Sequence, residues 1–454
     1  MKIHILFAVI LLITGQSCIT TGNDSRNNEP GKIENAYQKK NLPSRNEEFM
    51  DWGLGMFIHW SIDSQLGSVI SHSMVGASDD YLNRYINELP ASFNPVEYNP
   101  DEWVKLAKLA GFRYMVFTAK HHNGFCMWPT GTTTFSIKNT PFKRDIVGEY
   151  IKACRKNGLK AGLYFSPEDF YFLHRQGNII RRRGGDYVNI SSNPELLEYD
   201  KKQIKELIIR YGPVDLFFLD AFDTRELTQY IHELQPDCIV TRGEMETPEQ
   251  KIPDKPVPGP WEACFTLGTQ WQFKPTNEIY KSGTELINML IEIRAKGGNL
   301  LINMGPEPSG KIPFEQERIF RELALWMFVN QEAIHDIRPF DIIKEGNIWF
   351  TRSKNNKDIY LFLTNQQDWK RGERRTFTLT SVHSTGNTQI SVLGQNDKVS
   401  EYQPEIIPKS SFTQHENELE ISVYRAQRLY NNHNWPNPVV VKLSDVLYSE
   451  KHSK

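Results

Sequence analysis

The feature that most constrains the fold is a regular alternation of short apolar runs and amphipathic segments between residues 52 and 328. Apolar runs of this kind are typical of strands that are buried on both faces. They lie at residues 54–60, 114–119, 159–165, 214–220, 238–241, 261–265 and 299–303. Helical patterns lie at residues 101–110, 145–156, 199–210, 225–234, 285–296 and 314–328. This order predicts an α/β fold, a TIM-like (β/α) barrel of parallel strands.

An eighth barrel strand is not obvious, and residues 337–340 are the nearest segment that could supply it. A doubly wound open sheet is the alternative, but no glycine-rich phosphate fingerprint follows the first strand. Beyond residue 339 the pattern changes to short strand-like runs between polar turns, which predicts a β-sandwich. These runs lie at residues 348–351, 359–363, 376–379, 389–392, 419–423 and 439–443. We therefore predict a barrel over residues 45–339 and an all-β sandwich over residues 340–454.

The N-terminus has the pattern of a targeting segment. Lys2 precedes an apolar run at residues 5–13 that is too short to span a bilayer, so residues 1–17 are predicted to be a signal peptide. Small residues before Cys18 resemble a bacterial lipoprotein signal, in which that cysteine is lipidated; plain secretion is the alternative. Polar residues 18–44 are predicted to be a flexible tether. We expect an exported protein, periplasmic or on the cell surface, with membrane contact only through a lipid anchor.

Composition narrows the function classes. With 53 basic and 55 acidic residues, the chain lacks the excess of positive charge expected of a nucleic-acid binder. Cysteines at 126, 154, 238 and 264 show no C-x-x-C or Cys/His ligand spacing, so no zinc site is expected and these thiols are predicted to be free and buried. No cofactor is predicted.

Asp220 stands at the carboxyl end of the fourth predicted strand. In a parallel barrel, chemistry is carried by strand ends and the loops that follow them. The alternative is that Asp220 is the N-cap of the next helix, with Asp223 and Thr224 as rival caps.

Other predicted strands also end in polar residues, and each of these could singly be structural. They are His59, His121, His122, Asn123, Tyr164, Ser166, Glu168, Asp169, Arg242, Glu244, Glu246, Glu262 and Asn303. Together they predict one polar pocket with at least two carboxylates. Such a pocket suits glycoside hydrolysis with retention, in which a nucleophile and an acid lie about 5–5.5 Å apart. A metal site is disfavoured because His121 and His122 are neighbours, and neighbours on a strand point to opposite faces.

Several blocks of the chain resemble the α-L-fucosidases of glycoside hydrolase family 29. The motif K-H-H-x-G-F at residues 120–125 is the sharpest of them. The other blocks lie at residues 55–60, 160–166, 215–220, 260–262 and 299–306, and the resemblance extends over residues 52–340. It implies a barrel with a C-terminal β-sandwich, exo-action on oligosaccharides or glycoconjugates, and retention of configuration.

The resemblance also implies roles for individual residues. Asp220 would be the nucleophile. Glu262 would be the acid/base, with Glu246 and Glu244 as alternatives. The fucose would be bound by His59, Trp60, His121, His122, Tyr164 and Arg242.

The sequence departs from the family pattern around the sugar. Asn123 stands where Asp is usual, Phe218 where Trp is usual, and Ala221 where Gly is usual. Residues 71–78 lack the usual Glu-Trp-Tyr-like piece, and Glu168 begins the segment that replaces an aromatic after Ser166-Pro167. Two alternatives therefore stay open: a retaining glycosidase for another sugar, such as a galactose-configured one, and a non-catalytic carbohydrate-binding lipoprotein.

Overall fold

The computed structural model describes residues 40–182, 185–366, 368–427, 429 and 436–448. The predicted signal peptide, the lipidation site Cys18 and most of the predicted tether lie outside the described residues. Within the described ranges, no helix is both long and apolar enough to cross a bilayer. The described cysteines, Cys126, Cys154, Cys238 and Cys264, are free and buried, which confirms that prediction.

Seven parallel strands form the first sheet, in the order β5-β4-β3-β2-β1-β7-β6. They are β1 (Leu54–Ile58), β2 (Tyr114–Lys120), β3 (Lys160–Phe165), β4 (Leu216–Leu219), β5 (Ile239–Val240), β6 (Glu262–Phe265) and β7 (Asn299–Met304). Nearly every residue in them is buried, as expected of strands enclosed on both faces. The barrel class and all seven predicted strands are confirmed.

Helices alternate with these strands. They are α1 (Pro43–Trp52), α2 (Asp79–Asn87), α3 (Leu89–Ser92), α4 (Pro100–Leu109), α5 (Ile146–Asn157), α6 (Phe170–Arg175), α7 (Pro194–Tyr211), α8 (Arg225–Leu234), α9 (Gly283–Ala295) and α10 (Phe314–Asn330). The insertion after β1 contains α2 and α3. Short 3-10 turns lie at Ile62–Gln65, Ile137–Asn139, Asp186–Val188 and Gln331–Ala333.

The end of the predicted tether belongs to the folded unit. Asn41 is buried; its Nδ2 donates to the Val240 carbonyl at 2.8 Å, and its Oδ1 accepts from the Val240 amide at 2.8 Å. Its own amide donates to Glu244 at 2.6 Å. The folded unit therefore begins before residue 45, because Asn41 satisfies backbone groups at β5.

The C-terminal domain is a β-sandwich of two antiparallel sheets, ordered β12-β15-β10-β9-β8 and β11-β14-β13. Its strands are β8 (Ile337–Glu345), β9 (Ile348–Ser353), β10 (Asp358–Leu363), β11 (Arg374–Leu379), β12 (Val382–Val392), β13 (Ser411–Gln414), β14 (Leu419–Tyr424) and β15 (Val439–Tyr448). Residues of both sheets, such as Phe350 and Ile421, share one apolar core. The proposal of an eighth barrel strand at residues 337–340 is wrong, because β8 pairs antiparallel with β9.

The sandwich packs against the barrel helices. Trp326 of α10 is fully buried and donates its indole N–H to the Pro438 carbonyl at 2.8 Å. The Lys296 ammonium, after α9, lies 5.9 Å from the ring centroid of Trp349. These contacts brace the barrel on the side of α9 and α10.

Candidate active site

A cavity of about 450 Å³ opens at the carboxyl ends of the barrel strands. Its charged residues are Glu168, Arg182, Asp220, Arg242 and Glu249. Its neutral polar residues are His59, Ser71, His121 and Tyr164, and its apolar wall comprises Phe57, Phe218, Ala221, Phe222, Cys264 and Trp271. The structure thus brings together many of the predicted strand-end residues and adds others from loops.

Asp220 follows β4 directly and presents its carboxylate to this cavity, with 20% of the side chain exposed. Tyr164 donates its hydroxyl to Oδ2 at 2.7 Å, and the Arg242 guanidinium donates to Oδ1 at 2.7 Å. Burial acts to raise the pKa of Asp220, but His122, Arg242 and Tyr164 outweigh it and hold this pKa well below its usual range. Asp220 is therefore an ionised carboxylate. It does not cap α8, whose N-cap is Thr224.

Arg242, after β5, bridges Asp220 and Glu249. Its Nη1 lies 2.7 Å from Asp220 Oδ1 and 3.1 Å from Glu249 Oε2. These two carboxylate oxygens are therefore at most 5.8 Å apart, the sum of the two distances. The guanidinium also donates to the Thr247 hydroxyl at 3.1 Å and lies over the Phe218 ring, 4.7 Å from its centroid. These contacts fix the orientation of Arg242 between the two acids.

Asn303, at the end of β7, sets the tautomer of His59. Its side-chain amide donates to the Trp271 carbonyl, so its Oδ1 must accept the His59 Nδ1 proton at 2.7 Å. Burial lowers the pKa of His59 to about 3, so the imidazole is neutral. Its Nε2 is consequently a hydrogen-bond acceptor for a ligand in the cavity.

His121 has the opposite tautomer. Its Nδ1 accepts the His122 backbone amide at 2.9 Å, and burial lowers its pKa well below the usual value. The neutral ring therefore carries its proton on Nε2 and can donate it. The ring stacks on Tyr164 with a centroid distance of 4.8 Å. The site thus offers one imidazole acceptor and one imidazole donor, as sugar hydroxyls require.

His122 lies behind Asp220 rather than in the cavity wall. Its Nε2 is 3.5 Å from Asp220 Oδ2, and its Nδ1 is 2.5 Å from the Ser166 hydroxyl. Ser166 in turn donates to the Glu168 carbonyl at 2.7 Å. This series of hydrogen bonds orients the His122 imidazole next to Asp220.

Trp60 does not reach the cavity, contrary to its prediction as a sugar-binding residue. It is fully buried and packs against Phe93, Tyr98 and Trp103, with centroids 5.5–5.6 Å apart. Its neighbour His59 points into the barrel, and successive residues of an extended chain point to opposite sides. Trp60 therefore contributes to the core outside the sheet.

Glu262 also lies outside the cavity, contrary to its prediction as the acid/base. It is the first residue of β6, so it stands at the amino end of the barrel, one inward position below the cavity-lining Cys264. It is fully buried and accepts the Tyr114 hydroxyl at 2.7 Å. Burial raises the pKa of Glu262 to about 7. A pKa of about 7 would suit a general acid, but Glu262 does not reach the cavity.

Glu244 and Glu246, the two alternative acid/base residues, also lie outside the cavity. Glu244 accepts hydrogen bonds from the Asn41 amide and from His232 Nε2, at 2.6 and 3.0 Å, and so joins the N-terminal segment to α8. Glu246 forms a backbone bridge beside Trp261 and does not line the cavity. Neither carboxylate belongs to the group around Asp220.

Glu249 and Trp271 were missed by the sequence reasoning. Glu249 reaches the cavity because it bridges to Cys264, which places residues 246–249 beside β6. Trp271 comes from the loop after β6 and contacts His59 and Phe57 with centroid distances of 4.7 and 5.8 Å. The only signal for Glu249 was its proximity to Glu246. Nothing in the periodicity marked Trp271.

Asn123 has a structural role, in which its side-chain amide donates two hydrogen bonds. Its Nδ2 donates to the Ser61 hydroxyl at 3.0 Å and to the Tyr85 hydroxyl at 3.1 Å. Tyr85 in turn donates to Asp63 at 2.9 Å. Because Tyr85 gives its single proton to Asp63, its oxygen accepts from the Asn123 amide, which joins the loop after β2 to the insertion after β1; a carboxylate at position 123 could not make this donation.

His121, His122 and Asp220 each offer one metal-ligand atom, and these atoms lie within 4.8 Å of one another. The prediction that the two imidazoles point to opposite faces is wrong: β2 ends at Lys120 after a register shift, and the rings lie 4.5 Å apart. The Arg242 guanidinium already contacts Asp220, and like charges repel. A cation here would therefore compete with Arg242.

Comparisons with known proteins agree on one family. A family model described as Alpha-L-fucosidase matches residues 21–332. Tissue alpha-L-fucosidase of Rattus norvegicus is 27% identical over 392 residues, covering 76% of this chain and 80% of the rat protein. The human tissue enzyme is 27% identical over 387 residues, covering 75% and 79%. The solved structure of alpha-L-fucosidase isoenzyme 1 from Paenibacillus thiaminolyticus superposes with a TM-score of 0.70 and 25% identity, covering 88% of this chain and 99% of that one.

Proposed function

Because the chain belongs to the α-L-fucosidase family of glycoside hydrolases, we propose that it is an exo-acting retaining α-L-fucosidase that removes terminal fucose from glycans. One observation carries this proposal: the ionised carboxylate of Asp220 lies in a cavity within 5.8 Å of a second carboxylate. Retaining glycosidases use two carboxyl groups about 5–5.5 Å apart.

We assign the nucleophile to Asp220. In the first step one of its oxygens attacks the anomeric carbon and forms a glycosyl ester while the aglycone leaves. Tyr164 and Arg242 hold the carboxylate in place, and the low pKa keeps it ionised. Water then cleaves the ester from the same face that the aglycone occupied, so the configuration is retained.

We assign the acid/base to Glu249 instead of Glu262. Glu249 is the carboxylate that shares Arg242 with Asp220, and its side chain is 44% exposed. An exposed acid at the cavity mouth can protonate a leaving oxygen and then activate water. Glu262 can do neither, because it lies one layer lower, sealed from the cavity.

The first experiment tests the nucleophile. Asp220→Asn should lower hydrolysis of p-nitrophenyl α-L-fucoside by roughly 10⁴-fold or more, with an unchanged fold. A 2-fluoro-fucosyl fluoride should label the wild-type peptide that contains Asp220. Undiminished turnover in the variant, or a first-formed product of inverted configuration, would contradict the assignment.

The second experiment tests the acid/base with matched variants. Glu249→Ala should be slow on fucosides with poor leaving groups and much less impaired with a dinitrophenyl leaving group, because protonation matters only for the former. Azide should restore its turnover and give a fucosyl azide. Glu246→Ala and Glu262→Gln should show neither behaviour. The same leaving-group dependence in Glu246→Ala would move the role to that residue.

We also propose export with lipidation at Cys18, supported by the charged N-terminus, the apolar run and the small residues before that cysteine. Expressed in a bacterial host, the protein should incorporate labelled palmitate and sediment with membranes. Cys18→Ala should abolish both. Labelling that persists in that variant would contradict the proposal.

A further inference from the structure

We propose that Glu168 determines specificity: its carboxylate accepts hydrogen bonds from the ring hydroxyls remote from the anomeric carbon, O3 and O4. This inference rests on the proposed function, because it takes a terminal fucose as the group that fills the cavity. Glu168 belongs to a segment that departs from the family pattern, so it distinguishes this chain from its relatives.

The backbone around Glu168 is held firmly. Its carbonyl accepts the Ser166 hydroxyl at 2.7 Å, and the Phe170 amide donates to the His122 carbonyl at 2.7 Å. The next residue, Asp169, is fully buried and paired with Lys120 at 3.2 Å. Glu168 is therefore positioned in advance of any ligand, which is what a recognition group requires.

The carboxylate of Glu168 is not fully satisfied. The side chain lines the cavity, although only 2% of it is exposed. Its Oε2 lies 3.5 Å from Arg182 Nε and 3.8 Å from His122 Nδ1, both beyond ordinary hydrogen-bond length. Among the residues that the structure describes, Oε2 has no hydrogen-bond partner. A buried carboxylate oxygen that has ionic neighbours but no hydrogen bond is costly, so this oxygen is poised to accept a hydrogen bond from a ligand.

The imidazole of His122 separates Glu168 from Asp220. Glu168 lies on the Nδ1 side of the ring, and Asp220 lies on the Nε2 side. A sugar whose anomeric carbon faces Asp220 presents its 2-hydroxyl next to that residue. The hydroxyls that extend past the His122 imidazole toward Glu168 are those farther from the anomeric carbon. In fucose O3 and O4 are cis neighbours, so one carboxylate can accept both.

The apolar part of the wall lies elsewhere in the cavity. Phe57 packs against Phe218 and Trp271 with centroid distances of 5.0 and 5.8 Å. This cluster suits the methyl group at C5 of fucose. The wall is thus divided into an apolar part for the methyl group and a charged part, Glu168 with Arg182, for the hydroxyls.

The test is a double-mutant cycle in which Glu168 is replaced and one sugar hydroxyl is removed, first separately and then together. The values of kcat/KM are measured for p-nitrophenyl α-L-fucoside and its 3-deoxy and 4-deoxy analogues. In the wild type, loss of either hydroxyl should lower kcat/KM by roughly 10- to 100-fold, as expected for hydrogen bonds to a charged group. In Glu168→Ala the same deletion should cost less than about 3-fold, and Glu168→Gln should be intermediate.

An α-L-galactoside, which adds a hydroxyl at C6, is the matched substrate control. The added C6 hydroxyl should lower kcat/KM by the same factor in wild type and in Glu168→Ala, because C6 would contact the apolar part of the wall and not Glu168. If deleting O3 and O4 costs wild type and Glu168→Ala equally, the proposal is overturned.

The cycle can also be run on binding alone. Calorimetric Kd values for L-fucose and its 3-deoxy and 4-deoxy forms need no hydrolysis, so they test Glu168 even if the proposed function fails. Coupling in binding without turnover would uphold Glu168 and overturn the enzyme assignment. Turnover without coupling between Glu168 and the sugar hydroxyls would uphold the enzyme assignment and overturn the proposal for Glu168.

Discussion

Replacing the buried Glu262 by glutamine should make the protein more stable at alkaline pH. Glu262 is fully buried, and its Oε2 accepts the Tyr114 hydroxyl at 2.7 Å. Burial raises its pKa from 4.5 to about 7, against the opposing effects of Tyr114, Thr241 and Arg242. A glutamine side-chain oxygen can accept the same Tyr114 proton, so the substitution keeps this contact and removes the charge.

The magnitude follows from the two pKa values. Between pH 4.5 and 7 the folded protein keeps a proton on Glu262 that the unfolded chain has released. The free energy of unfolding therefore falls as pH rises through this window and is level above it. At 1.36 kcal/mol per pKa unit, the fall amounts to about 3 kcal/mol. The glutamine variant lacks this fall and should gain up to that amount over wild type by pH 8.

The assay is urea unfolding followed by tryptophan fluorescence at pH 5 and pH 8. The stability difference between Glu262→Gln and wild type should change by most of about 3 kcal/mol between the two pH values. Glu97→Gln, at an exposed position, is the control for the loss of one glutamate charge. Parallel profiles for Glu262→Gln would refute the reasoning, since they would show that Glu262 titrates alike in the folded and unfolded chain. Hydrolysis by Glu262→Gln should remain near that of wild type.

Three further outcomes are expected. Tyr164→Phe removes a hydrogen bond to Asp220 and should lower kcat on p-nitrophenyl α-L-fucoside by roughly 10- to 100-fold; an unchanged kcat would contradict the role of this contact. Asn41→Ala removes the two side-chain hydrogen bonds to Val240 and should lower the free energy of unfolding by about 2 kcal/mol in urea titrations; a change under about 0.5 kcal/mol would show that the segment is not anchored there. Zn²⁺ should inhibit hydrolysis only weakly, because His121 carries its proton on Nε2 and Arg242 already contacts Asp220; strong inhibition that is lost in His121→Ala would contradict this.

Asp220 and His59 were predictable because strand ends obey simple geometry. Parallel strands present their carboxyl ends on one side of a barrel, so polar residues after successive strands must converge. Asn303 and Tyr164 follow the same rule. Asn303 forms a hydrogen bond of 2.7 Å with His59, and Tyr164 forms one of 2.7 Å with Asp220. These placements needed only the strand boundaries and the order of the elements.

The errors also have physical reasons. Trp60 follows His59 directly, and alternation along the chain sends its side chain away from the cavity. Glu262 begins its strand instead of ending it, so it stands at the amino end of the barrel, one layer below the cavity. Glu249 joins the site through a bridge between residues 246–249 and β6, a tertiary contact that leaves no periodic signal in the sequence.

Strand β4 shows how position along the barrel axis decides what a carboxylate does, because an aspartate flanks each of its ends. Asp215, at the amino end, accepts the Ala161 amide at 2.9 Å, with Arg45 and Lys160 within 3.8 Å. These partners all lie in the barrel framework, and Asp215 does not line the cavity at the carboxyl ends of the strands. Asp220, at the other end, has partners of similar kind, but its carboxylate faces a cavity. The difference is not charge or hydrogen bonding but position relative to the cavity: of these two aspartates, only the one at the carboxyl end lines the cavity that can hold a substrate, in agreement with the general rule that a barrel carries its chemistry on that face.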